Sequence, residues 1–347
     1  NDDRINIIVE LIDDSEAAFE IVSAAMRNGK GVVSANKKMI ADHLHELLQL
    51  QQRYNVPFLY EAASCASIPI IRNLEEYYDN DLLVSIEGIV NGSTNYILTK
   101  IHRDKLTLND ALKQAQALGY AESNPSLDVD GYDAKYKLLI LLLHAFGIAE
   151  SPERIYNLGI QRLNSLDLRL SGEKGYKIKL IAHAHKFGEN KVIAFVLPQF
   201  VNESSRFFAV DDVLNGVQTE TGFADKQFFM GKGAGAFPTA SAVLSDISAL
   251  SYSYRYEYKK RNQQVLSLTG RFSLEVFVSF RNRDDVPASD FMEVTEKYRS
   301  PEGNYIVGRI KFTKLTESAW IRNPEVSVLL TPDFQPLPLP EDQTVAD

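Results

Sequence analysis

The chain has 347 residues, of which 45% are hydrophobic and 24% charged, a soluble-protein composition long enough for two or three domains. Its formal net charge of −9 and the lack of any basic run argue against nucleic acid and against an anionic membrane surface as partners. No unbroken apolar stretch reaches transmembrane length, and a single cysteine, Cys65, excludes an internal disulfide and fits a reducing, cytoplasmic setting.

Residues 5–12 read as a buried parallel strand and 15–28 as the helix behind it, with Ser15 as N-cap and Gly29 as stop. A dinucleotide-binding domain begins with a strand and a glycine-rich turn for the pyrophosphate. No GxGxxG is present, so the sequence reads as an N-terminally incomplete domain, short by on the order of 60–90 residues. A second strand at 31–34, a helix at 42–54 with Leu44, Leu47, Leu48 and Gln51 on one face, a break at Pro57 and a third strand at 58–62 give the second half of a doubly wound parallel sheet. Ligands of such sheets lie beyond the carboxyl ends of the strands, where ANKK (35–38) and EAASCAS (61–67) fall. Of the adjacent Lys37 and Lys38, only one is expected to point into that crevice. Cys65 has no histidine nearby and is not expected to act as a nucleophile; His43 and His45, two apart on a helix, face different ways and are expected at the surface.

A strand at 83–90 leads through Asn91-Gly92 into a helix capped by Ser93 or Thr94, and the next helix, from Leu108, stops at Gly119. The stretch AQALGYAESNPSLDVDGYDAKYK (115–137) then crowds Glu122, Asp128 and Asp130 into a loop fixed by Asn124-Pro125 and released at Gly131. It feeds an apolar helix at 132–146 on which Asp133 and Lys137 stand at i and i+4, on one face. An exposed pair of this kind is an ordinary helix salt bridge, worth only about 0.3–0.5 kcal/mol. A helix as apolar as LLILLLHAF and three further acids point instead to a partly buried ammonium among carboxylates, a candidate proton donor.

Further along, 151–157 reads as a short helix with Pro152 at N1, 178–186 as a helix, and 191–201, 213–219 and 226–230 as strands of an antiparallel sheet. GKGAGAFPTASAVLSDI (231–247) lacks P-loop spacing; its glycines ahead of a small-residue helix suit close backbone approach to a ligand. A strand at 271–280, a helix at 288–298 and strands at 305–313 and 325–330 follow, and the proline-rich tail after Pro332 is expected to be extended or disordered.

The 115–137 stretch resembles the homoserine dehydrogenase signature: Ala115, Gly119, Tyr120, Ala121, Asn124, Pro125, Asp128, Val129, Gly131, Asp133 and Lys137 fill every slot. VVSANKKMIA (32–41), GIVNGSTNYILTK (88–100) and GKGAGAFPTASAV (231–243) resemble that family as well. The resemblance implies an α/β fold in four parts. Residues 1–86 are the second half of a Rossmann NAD(P)-binding domain, 87–230 an α+β catalytic and dimerisation domain, 231–255 a helix returning to the nucleotide domain, and 256–347 a small C-terminal α+β region similar in pattern to an ACT regulatory domain.

It further implies interconversion of L-homoserine and L-aspartate 4-semialdehyde by hydride transfer with NADP or NAD, in a homodimer. Lys137 is the expected proton donor, with Asp128 supporting it; Glu122, Asp133 and Lys37 bind substrate; Ser34, Lys37, Gly119 and Gly235 border the cofactor. EAASCASIP (61–69) resembles a sodium loop in which Glu61 and the carbonyls of Ser64, Ala66 and Ile68 hold Na+, although Cys65, Ala66 and Ser67 replace the usual glycines; the other reading is that Glu61 caps the helix that follows. The alternative function is a non-catalytic fragment or regulatory subunit that keeps the dimer and cannot bind dinucleotide.

Overall fold

The computed structural model describes residues 2–80, 82–263, 265–332 and 334–339. Three short strands, β1 (Ile7–Glu10), β2 (Gly31–Ser34) and β3 (Phe58–Leu59), pair in parallel in the order β1-β2-β3. Their crossovers carry α1 (Ser15–Arg27), α2 (Lys37–Asp42) and α3 (Leu44–Tyr54). Ala18, Val22, Ala25 and Met26 form the buried stripe of α1, the spacing that drives an amphipathic helix onto a sheet. Asp14, not Ser15, is its N-cap: the extended residue ahead of the first turn accepts from the Ala17 N–H at 2.8 Å, while Ser15 is already helical. The helix expected at 42–54 begins at Leu44 as α3, because Asp42 ends the preceding α2 and His43, whose ring stacks on Phe19 at 3.8 Å, separates the two.

After α4 (Ile70–Glu76), the chain enters a large mixed sheet through β4 (Leu83–Ile89). Its other strands are β5 (Tyr156–Asn157), β6 (Lys177–Lys186), β7 (Lys191–Val201), β8 (Leu214–Thr221), β9 (Asp225–Lys232), β10 (Ser267–Leu268), β11 (Phe272–Phe280), β12 (Glu293–Ser300), β13 (Gly303–Lys311), β14 (Ser327–Leu330) and β15 (Leu337–Pro338). The order is β12-β13-β11-β14-β7-β6-β4-β8-β9; β5 and β10 also pair with β7, and β15 with β11. Against one face lie α5 (Gly92–Asp104), α6 (Leu108–Ala117), the single turn α7 (Ser126–Val129), the apolar α8 (Tyr132–Phe146) and α9 (Ser165–Glu173). Leu138 through Phe146 are all buried, so α8 is the core on which the parallel unit and the mixed sheet meet. The long α10 (Ala236–Ser251) returns to the first unit, where Asp246 accepts from the Glu61 N–H at 2.9 Å and pairs with Arg72 at 2.7 Å.

The fold departs from the sequence expectations at several places. Residues 178–186 form β6 rather than a helix: Ile178, Leu180, Ala182 and Ala184 enter the core beside α8, and Lys179, Ile181, His183 and His185 take the other face, a period of two that β4 and β7 complete by bonding both edges. At 288–298 only a 3₁₀ turn (Ala288–Asp290) precedes β12, which pairs with β13, so the strand–helix–strand–strand order that resembled an ACT domain does not form. Instead β14 pairs with β7 and continues the central sheet. Residues 151–157 hold one 3₁₀ turn (Pro152–Arg154) followed by β5. Asn91, rather than Ser93 or Thr94, caps α5 by accepting from the Thr94 N–H at 2.7 Å. In the tail, β15 lies on the sheet, and residues 340–347 fall outside the described ones.

Candidate active site

The acid-rich loop is held by backbone contacts. Gly119 takes φ 74 to end α6, and Gly131 takes φ 84 to begin α8. Behind it, the Ile160 N–H donates to Val129 O at 2.7 Å and the Asn157 amide to Asp130 O at 2.7 Å. Gly159 permits that approach, because a Cβ there would lie 1.8 Å from Val129 O. Asp128 and Asp133 therefore reach the carboxyl end of the parallel sheet on a fixed scaffold.

There they border a cavity of about 710 Å³ whose wall includes Asp13, Lys37, Glu122, Asp128, Asp133 and Gly235. The first side comes from the ends of β1 and β2, as expected for a doubly wound sheet, and the facing side from α10. Gly235 stands at φ 113 just ahead of α10, a conformation that side-chain-bearing residues rarely adopt.

Asp133 is the electrostatic centre. Its Oδ1 lies 3.1 Å from Lys37 Nζ and its Oδ2 2.9 Å from Lys137 Nζ; the Asn91 amide donates to Oδ2 at 2.8 Å. Burial works to raise the Asp133 carboxyl, but the ammonium groups of Lys137 and then Lys37 outweigh it and hold the acid well below the usual carboxylate range. The attraction of Asp133 holds Lys37 above the ordinary lysine value. Asp128, bonded to the same Asn91 amide at 2.7 Å, moves the other way, raised by burial and by the neighbouring Asp133 charge. Lys137 stands behind Asp133, buried, and also donates to Val90 O at 2.7 Å, a carbonyl shared with the Asn215 amide at 3.1 Å.

Lys37, Glu122, Asp128, Asp133 and Gly235 thus converge on the cavity, and Lys137 adjoins it through Asp133. Both lysines of the 37–38 pair border it, against the expectation of one, with Lys38 tied to Asp42. Ser34 and Gly119 are not on its wall. The buried Ser34 hydroxyl donates to Glu10 Oε2 at 2.6 Å and supports the strand ends, while Gly119 is exposed beyond α6. In the sequence Asn91 reads only as a turn residue, although a polar side chain directly between a strand and a helix is able to cap and to bond at once.

A family model described as homoserine dehydrogenase matches residues 69–248, and one described as the homoserine dehydrogenase NAD binding domain matches residues 2–61. The chain belongs to the homoserine dehydrogenase family. It is 39% identical over 246 residues to the homoserine dehydrogenase of Lactococcus lactis, covering 71% of this chain and 57% of that protein. It is also 39% identical to that of Neisseria gonorrhoeae, over 70% of this chain and 56% of the relative. The chain thus spans less than three-fifths of the length of these curated relatives. Among solved structures, a homoserine dehydrogenase from Thiobacillus denitrificans superposes with a TM-score of 0.81 at 29% identity, covering 94% of this chain and 82% of that one. A hyperthermophilic archaeal homoserine dehydrogenase in complex with NADPH superposes at 0.63 and 32% identity, over 72% of this chain and 73% of that one.

In the loop that resembles the family's sodium loop, the Glu61 carboxylate accepts from the Ile71 N–H at 2.8 Å and the Arg72 N–H at 3.0 Å, so it caps α4. The Ile68 carbonyl accepts from the Ile70 N–H at 2.8 Å. Ala66 adopts φ 41, the left-handed region that glycine occupies freely. Burial, opposed by the Ile71 and Arg72 N–H groups, pushes the Glu61 carboxyl up to about 7. Among the described residues no helix is long and apolar enough to cross a membrane, and Cys65 is buried.

Proposed function

We propose that the chain interconverts L-homoserine and L-aspartate 4-semialdehyde with a nicotinamide dinucleotide, NADP or NAD. The observation that carries this reading is the Asp133 carboxylate bridging Lys37 and Lys137 on the wall of the cavity at the carboxyl ends of β1 and β2. The dinucleotide, when bound, supplies or accepts the hydride; Lys37 and Gly235 border the space it would take. Glu122 at the mouth receives the substrate ammonium and Lys37 its carboxylate. Val90 O and Asp133 take two of the Lys137 N–H donors; the third meets the substrate oxygen and delivers a proton as the alkoxide develops. Asp133 keeps both ammonium groups charged and orients them, and Asp128 supports it through Asn91.

In this reading, residues 1–86, 87–230 and 231–255 form the nucleotide unit, the catalytic and dimerisation unit and the returning helix, and the protein acts as a cytoplasmic homodimer. A sodium ion at Glu61, Ser64, Ala66 and Ile68 would share the Glu61 carboxylate with the Ile71 and Arg72 N–H groups and the Ile68 carbonyl with the Ile70 N–H, and greater stabilisation by sodium chloride than by choline chloride at equal ionic strength tests for it. The decisive experiment follows NADPH oxidation with aspartate semialdehyde for wild type and Lys137→Met. Turnover by the wild type and its near-loss in the variant support the reading; an inactive wild type that still binds NADPH overturns it.

A further inference from the structure

A second cluster of ligating side chains lies on the face of the mixed sheet opposite α8. In the β4–β6 pairing Glu87 stands directly across from His183, and His185 follows two residues later on the same face. His183 Nδ1 and His185 Nε2 each lie 3.1 Å from Glu87 Oε1. Among the described residues this is the one group of three or more histidine, cysteine or acidic side chains whose donor atoms all fall within 4.8 Å of one another.

We propose that Glu87, His183 and His185 form a zinc site. Tetrahedral zinc, with bonds of about 2.0–2.1 Å to nitrogen and oxygen, keeps its donors roughly 3.3 Å apart, close to the 3.1 Å that already separates each histidine nitrogen from Glu87 Oε1. A His-x-His pair on a strand presents both rings on one side, and adjacent strands bring the carboxylate to the same point without a loop having to order. His183 is 1% exposed, so its ring is positioned before any ion arrives.

The hydrogen bonding is also incomplete. Nε2 of His185 approaches Glu87 without hydrogen-bond alignment, and it has no other partner among the described residues. Buried imidazole nitrogens left unpaired are costly, and a bound ion relieves that cost for a nitrogen that ligates it. Gln199, whose side chain acts on His183 from the neighbouring strand, lines the same 440 Å³ cavity as Glu87 and His185, so a water from that cavity can take the fourth coordination position. Two histidines and one carboxylate suit zinc, and exclude calcium or magnesium, which take oxygen. The ion's effect is to tie β4 to β6 across the sheet from Asp133.

The test uses tag-free, chelator-stripped protein titrated with zinc(II) against a chromophoric chelator, followed by thermal melting. Wild type is expected to take up one equivalent and to melt higher with the metal, and cobalt(II) to give the visible absorption of a tetrahedral site. His185→Gln and Glu87→Gln, both at the cavity rim, are expected to weaken binding by more than the roughly 10–100-fold that losing an outer-shell partner costs, with unchanged circular dichroism. No stoichiometric uptake by wild type, or uptake that survives both substitutions, overturns the site.

Discussion

The side-chain amide of Asn91 lies 2.8 Å from Asp133 Oδ2, so the carboxylate that pairs with two lysines is also tied to the residue that starts α5. The same amide donates to Asp128 at 2.7 Å, and its oxygen caps the helix. One side chain thereby sets both the helix start and the spacing of two acids. Asn91→Ala is expected to cost about 0.5–2 kcal/mol through the lost cap and to lower turnover. Asn91→Asp keeps the cap and adds a third carboxylate, so it should melt higher than Asn91→Ala yet turn over no faster. Melting curves beside steady-state rates separate the two effects; wild-type turnover in both variants would remove the amide from the charge layout.

Lys137→Met is expected to lower kcat by roughly 10²–10⁴-fold while the KM for the dinucleotide stays nearly constant, since the proton is needed only as the carbonyl oxygen becomes an alkoxide. Turnover near wild type would reassign proton transfer, with Lys37 as the next ammonium on the cavity wall.

Glu122 is exposed at the cavity mouth, and its backbone oxygen accepts from the Gln116 amide at 2.9 Å, which leaves the carboxylate to face a ligand. Glu122→Leu should raise KM for homoserine about 10–100-fold, the worth of a charge-assisted bond of about 1.5–3 kcal/mol, and change KM for the cofactor far less. Kinetics with homoserine varied at saturating cofactor decide this, and an unchanged KM leaves Asp133 alone to meet the amine.

The alternation of strands and helices, the apolar α8 and the acid loop before it were legible because each is a local pattern: a period, a stop glycine, an Asn-Pro turn. β6 was not, since Ile178 to His185 has alternation that only its neighbours β4 and β7 make decisive. The 288–298 segment misled for the same reason, its helix-compatible composition being overridden by the ladder with β13. In the site, Asp133 and Lys137 were readable from their spacing on one helix. Their contacts with Asn91 and Val90 join residues 42 and 47 positions apart, and Asn215, which shares the Val90 carbonyl, lies 125 positions from it, separations that no local window contains.

The Glu61 carboxyl, raised from the model-compound value of 4.5 to about 7, gives a pH signature. Its folded value exceeds the unfolded one, so its contribution is fully present below about pH 4.5 and is lost as pH rises through 7. Glu61→Gln cannot ionise; relative to the variant, wild-type stability should fall between pH 5 and 8 by at most about 3 kcal/mol. Urea unfolding of both proteins across that range checks it, and parallel pH dependences would show that Glu61 does not titrate there.

The return of α10 has a consequence for how the chain comes to be folded at all. Glu61 bonds Asp246 and the Tyr60 N–H bonds the Tyr256 hydroxyl, pairings that span 185 and 196 residues. Residues 2–61 leave the ribosome well before these partners exist, so the parallel unit must wait for distant chain to finish its core. Vectorial synthesis therefore makes β4 to β9 before α10 can close the earlier unit, and the cavity gains its last wall, α10, before β11 to β14 have emerged to extend the mixed sheet.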